Sequence, residues 1–68
     1  MDKVQNRLKV VLVENGVKNK DLAEGIDRDL ATISRWCTNK AQPSLETLFE
    51  IAQFLDVSIR VLLVDNKK

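Results

Sequence analysis

Histidine is absent from the 68 residues, and cysteine occurs once, as Cys37. The first absence excludes a histidine-based catalytic triad and a histidine-ligated zinc. The second leaves no internal disulfide, and a lone thiol suits a reducing cytoplasm, the expected compartment. No apolar run approaches the roughly 18 residues of a membrane span. A charged-then-apolar leader is missing too, so neither secretion nor membrane insertion is expected. Carboxylates are scattered and no activated nucleophile is visible, so neither catalysis, a metal nor a cofactor is expected. A single small domain over residues 1–68, without metal or disulfide staples, depends on efficient helix packing or self-association.

Excess charge is also lacking. Eleven basic and ten acidic residues leave a net charge of +1, short of the basic footprint that nucleic-acid binders usually carry. The distribution is less even than the sum. Eight of the eleven cations (Lys3, Arg7, Lys9, Lys18, Lys20, Arg28, Arg35 and Lys40) fall in the first forty positions. Between 41 and 59 the only charges are Glu46, Glu50 and Asp56. One side of the domain can therefore be basic although the whole is nearly neutral.

What is present is helical periodicity. Val4, Leu8, Val11 and Leu12 recur at helix spacing, and Asn15-Gly16 supplies a left-handed stop, which predicts a helix from about Lys3 to Asn15. Valine is a mediocre helix former, and the Val10 to Val13 run admits a strand, but length and the glycine stop favour the helix. Val17 anchors a second helix at about Asn19 to Gly25, with Leu22, Ala23 and Ile26 on its buried side. Asp27, or less readily Gly25, makes the sharp turn that follows, because Asp tolerates left-handed backbone.

Asp29 then suits a helix N-cap. Winding residues 30–38 at about 100° per residue puts Ile33, Trp36 and Cys37 on one face. Ala31, Arg35 and Thr38 point the other way, flanked by Thr32 and Ser34. The first face is core material; the second is small, polar and carries one arginine, as a helix in a DNA major groove requires. Asn39 is expected as a left-handed cap, and Pro43 prevents continuation. Ser44 caps a fourth helix with Leu45, Leu48, Ile51, Ala52 and Leu55 at helical spacing, and Asp56 takes its C-terminal turn. Ser58 caps a last short helix with Ile59, Leu62 and Leu63 inward, and residues 65–68 are a frayed tail. The expected fold is all-α, five helices and no sheet.

At this point the chain resembles the lambda-repressor-like (Xre/Cro-type) helix-turn-helix family over nearly its whole length. The resemblance is carried by Asn6-Arg7-Leu8-Lys9, Gly16-Val17, Asp21-Leu22-Ala23, Thr32-Ile33-Ser34-Arg35-Trp36 and Asn39-Lys40. It continues through Pro43-Ser44-Leu45-Glu46-Thr47-Leu48, Ile51-Ala52 and Leu55-Asp56-Val57-Ser58. It implies a sequence-specific DNA-binding regulator, a repressor by preference, acting as a homodimer on palindromic double-stranded operators without a cofactor. Residue by residue, it implies base contacts from Leu30, Ala31, Thr32, Ser34 and Arg35, and phosphate contacts from Asn19, Lys20, Asp29, Thr38, Asn39 and Lys40.

The chain departs from the family at four positions. Asp27 stands where a glycine is usual, and Lys18 where a Ser or Thr cap is common. Leu12 and Cys37 together replace a frequent arginine–glutamate pair, an exchange that costs little when both partners change. Arg35 is otherwise a solvated surface arginine, Trp36 reads better as core than as a stacking platform, and Cys37 better as an inert thiol than as a redox sensor. Val10, Val13, Val61 and Val64 are left over after the core is assigned and form a dimer surface if they cluster. Two other functions share the fold: a protein-interaction module such as an antitoxin binding a toxin, and a relative that has lost DNA binding.

Overall fold

The computed structural model describes residues 6–64. Four α-helices follow one another, α1 (Leu8–Glu14), α2 (Asn19–Gly25), α3 (Leu30–Cys37) and α4 (Leu45–Leu55), and a 3-10 turn spans Ile59–Leu62. The expected fifth helix thus takes the form of one tight turn. Among the described residues there is no strand, only an isolated antiparallel bridge between Asn6 and Leu63.

All four helices end in the same way, and the ending is written into their sequences. Gly16, Asp27, Asn39 and Asp56 adopt φ of 67°, 58°, 59° and 57°. The next residue in each case returns its N–H to a carbonyl five positions earlier: Val17 to Leu12, Arg28 to Ala23, Lys40 to Arg35 and Val57 to Ala52, at 2.9–3.0 Å. This is the closure that satisfies the last orphan carbonyls of a helix and reverses the chain. Starts are equally local. Asp29 accepts from the Thr32 N–H, Ser44 from the Thr47 N–H and Ser58 from the Arg60 N–H.

The first helix is shorter than its periodicity predicts. Lys3 and Val4 lie outside the described residues, and α1 begins only at Leu8. The cause is Asn6, whose side-chain oxygen accepts the Leu8 N–H, while the Arg7 N–H goes to the Leu62 carbonyl instead of along a helix. α3 ends at Cys37, one residue before the predicted boundary, with Thr38 as its cap.

Each helix contributes one buried stripe: Leu8, Val11 and Leu12 from α1, Leu22, Ala23 and Ile26 from α2, Ile33 and Trp36 from α3, and Leu48, Ile51, Ala52 and Leu55 from α4, closed by Leu62. Two residues expected inward are corrected. Leu45 is 64 % exposed and Leu63 is 42 % exposed. Leu45 is the first residue of α4, where the stripe has run past its neighbours. Leu63 has left the 3-10 turn for extended backbone (φ −103°, ψ 148°), which swings it opposite the fully buried Leu62. Phe49 and Phe54 are also exposed. Phe54 lies across Gly25 so closely that a β-carbon there would strike its ring, so Gly25 serves helix packing and the turn falls to Asp27.

Candidate nucleic-acid interface

α2 and α3 pack on each other through Leu22, Ala23, Ile26, Ile33 and Trp36, joined by the left-handed Asp27. Arg28 stabilises this joint from outside. Its guanidinium donates to the Ile26 carbonyl at 3.1 Å and pairs with Glu50 at 3.3 Å, the one ion pair among the described residues. The acceptor from α4 neutralises Arg28, and Lys20, Arg35 and Lys40 keep their charges for solvent.

With Ile33 and Trp36 fixed inward, the opposite side of α3 is decided by geometry. Leu30, Ala31, Ser34, Arg35 and Thr38 are all exposed and fall at positions i, i+1, i+4, i+5 and i+8, one continuous stripe. Thr32 is set apart from it. It is half-buried on the flank of the helix, and it serves the cap: its N–H meets the Asp29 carboxylate at 2.7 Å. The Thr32 hydroxyl and N–H hold the Asp29 carboxyl below the usual carboxylate range.

The residues expected at phosphates surround this stripe in two groups. At the start of α2, Lys20 is exposed and Asn19 is half-buried. The Asn19 side-chain oxygen accepts the Cys37 thiol at 3.6 Å, which brings the start of α2 beside the end of α3. Burial pushes the Cys37 thiol up from its ordinary pKa, an effect the charge of Lys9 offsets in part. After α3, Thr38 and Lys40 are exposed, with the Thr38 hydroxyl turned back to the Ser34 carbonyl at 3.1 Å. Asn39 is half-buried and its amide is engaged: Oδ1 accepts from the Asn6 N–H and from Gln42, and Nδ2 donates to the Asn6 carbonyl.

Sequence reasoning assigned no role to Asn6 or Gln42, the two residues that grip this loop. No local pattern marks their grip on each other and on Trp36, because those bonds join positions thirty or more residues apart. Among the described residues no group of His, Cys, Asp and Glu is placed to hold a metal ion. No helix of the described chain is long and apolar enough to cross a membrane.

The arrangement is a helix-turn-helix whose second helix offers a mixed apolar and polar face. Consistent with it, a family profile described as "Helix-turn-helix" matches residues 8–62, and the chain belongs to this lambda-repressor-like family. The structure is also similar to the crystal structure of a "putative DNA-binding protein" from Bacteroides fragilis. The two chains are 49 % identical with a TM-score of 0.85, over 87 % of this chain and 95 % of the other. No curated protein matches the chain. The family supports a DNA-binding regulator.

Proposed function

We propose that this domain is a transcriptional repressor that inserts α3 into the major groove of operator DNA as a homodimer. The observation that supports it most is the exposed stripe of Leu30, Ala31, Ser34, Arg35 and Thr38, lying opposite a rigid buried face. Arg35 makes a bidentate contact to guanine, worth roughly 1–3 kcal/mol of discrimination. Ser34 adds a hydrogen bond, and Leu30 and Ala31 meet thymine methyl groups. Thr32 contributes at the edge of the groove, from the half-buried position the cap gives it. Lys20 and Lys40 engage phosphates directly. Asn19, Asp29, Thr38 and Asn39, whose side chains are committed to internal bonds, align the backbone at the same phosphates.

Phosphate contacts fix register and carry no sequence information, so specificity in this account rests on few side chains. Two half-sites about one helical turn apart supply the remainder. Exposed apolar side chains on α1 (Val10, Val13), on α4 (Leu45, Phe49) and in the C-terminal segment (Val61, Leu63) provide surface for a second copy. The same surfaces support a second reading, an interaction module such as an antitoxin. The test is binding to random duplex DNA across a salt series. Lys20 and Lys40 on phosphates give a log–log slope of about −2 per copy; absence of binding in dilute buffer contradicts the reading.

A further inference from the structure

Asn6 is a polar side chain only 3 % exposed, and every hydrogen-bonding group it has is used. Its Nδ2 donates both hydrogens, to the Trp36 carbonyl at 3.0 Å and to Gln42 Oε1 at 2.8 Å. Its Oδ1 accepts the Leu8 N–H at 2.9 Å. Its backbone N–H donates to Asn39 Oδ1 at 3.0 Å, and its carbonyl accepts from Asn39 Nδ2 at 3.3 Å. Gln42 closes the ring by donating Nε2 to Asn39 Oδ1 at 3.1 Å. Three amides thus hold one another in a single consistent orientation around the loop that carries Lys40.

Resting on the reading of α3 as a DNA-facing helix, we propose that Asn6 is the positioning residue for the phosphate-contacting loop after α3. Asn39 and Gln42 flank Lys40 and Ala41, so gripping them fixes where the Lys40 stem leaves the surface. A loop ordered before binding spares the complex the entropy of ordering it. Only asparagine has the required pattern at this length: two donors for two carbonyl-type acceptors and one acceptor for the Leu8 N–H. Aspartate would set a carboxylate against the Trp36 and Gln42 oxygens. Asn6 is itself held from the other side, through its bridge to Leu63 and the adjacent bond from the Arg7 N–H to the Leu62 carbonyl at 2.8 Å. The C-terminal segment and the DNA-facing loop therefore share one anchor.

The test is a double-mutant cycle read by affinity for a random duplex at fixed salt. Lys40→Ala weakens the wild-type protein about threefold, and Asn6→Ala weakens it about tenfold, within the range for coupled neighbours. In the Asn6→Ala background Lys40→Ala has almost no further effect, because the lysine has already lost its placement. Gln42→Ala, at an exposed position, gives a smaller loss with the same non-additivity, and it decides the matter if Asn6→Ala does not fold. Additive losses, with Lys40 worth as much in either variant as in the wild type, overturn the proposal and leave Asn6 a purely structural residue. Absence of DNA binding by the wild type overturns the DNA reading and this proposal with it.

Discussion

The Asp29 carboxylate accepts the Thr32 N–H at 2.7 Å, so the first turn of the proposed recognition helix is closed by a negative charge at the edge of its exposed face. The two consequences have opposite signs. The carboxyl is held below its ordinary pKa by Thr32, so its contribution to stability is present above the ordinary carboxylate range. That contribution is lost as the pH falls through the lowered value. Asp29→Ala should lower the urea midpoint at neutral pH and flatten this acid limb. Asp29→Asn keeps an acceptor for Thr32 and should retain most of the stability. It should also bind duplex DNA more tightly, since a charge facing phosphate is removed. Chemical denaturation followed by the fluorescence of Trp36, together with a DNA titration, checks both.

Leu62 and Leu63 are adjacent but oppositely directed, fully buried and 42 % exposed respectively. Leu62→Ala should cost about 2–5 kcal/mol, the range for emptying a core leucine site. Leu63→Ala should fall within roughly 0.5 kcal/mol of the wild type in the monomer. Equal losses at the two positions would show that the C-terminal segment packs differently.

Asp27 holds a left-handed conformation, φ 58°, at the turn between α2 and α3. Glycine adopts that conformation without strain, so Asp27→Gly should raise stability by about 0.5–1 kcal/mol. The gain should appear in the thermal midpoint with DNA affinity unchanged. A loss would mean that the Asp27 side chain contributes something beyond its backbone geometry.

The left-handed stops and the caps were legible in the sequence because they are local. Gly16, Asp27, Asn39 and Asp56, with Asp29, Ser44 and Ser58, each act within five residues of where they stand. The apolar stripes were legible too, apart from their edges. Periodicity gives the direction of a helix face but neither the extent of the neighbour that covers it, which decides Leu45, nor the point where helical winding stops, which decides Leu63. Phe49 and Phe54 drew no expectation, and Phe54 gains its place only where α4 crosses Gly25 of α2. The ring of Asn6, Asn39 and Gln42 was illegible for a different reason: it exists only once the segment before α1 meets the loop after α3.

Leu45 and Phe49 lie four residues apart on one exposed face of α4, 64 % and 56 % accessible. If a second copy covers them, Leu45→Glu combined with Phe49→Glu should give a folded monomer in sedimentation and weaken operator binding far more than single-site binding. Sedimentation of the wild type as a 7.7 kDa species at high concentration would contradict the dimer.

Cys37 is half-buried, with its thiol raised by desolvation and donating to Asn19. A thiol with little thiolate reacts slowly. Alkylation at neutral pH should be slow in the folded protein and accelerate on denaturation. Fast labelling of the native state would indicate a reactive cysteine.

The central claim is that the face of α3 made by Leu30, Ala31, Ser34 and Arg35 meets DNA. The most direct measurement is backbone amide chemical-shift mapping while a duplex, selected from a random pool, is titrated in. The account predicts the largest changes at residues 30–35, with a second group at 19–20 and 38–40, and smaller changes at 30–35 on Arg35→Ala. Changes confined to α4 or to residues 61–64, with α3 unmoved, would contradict it.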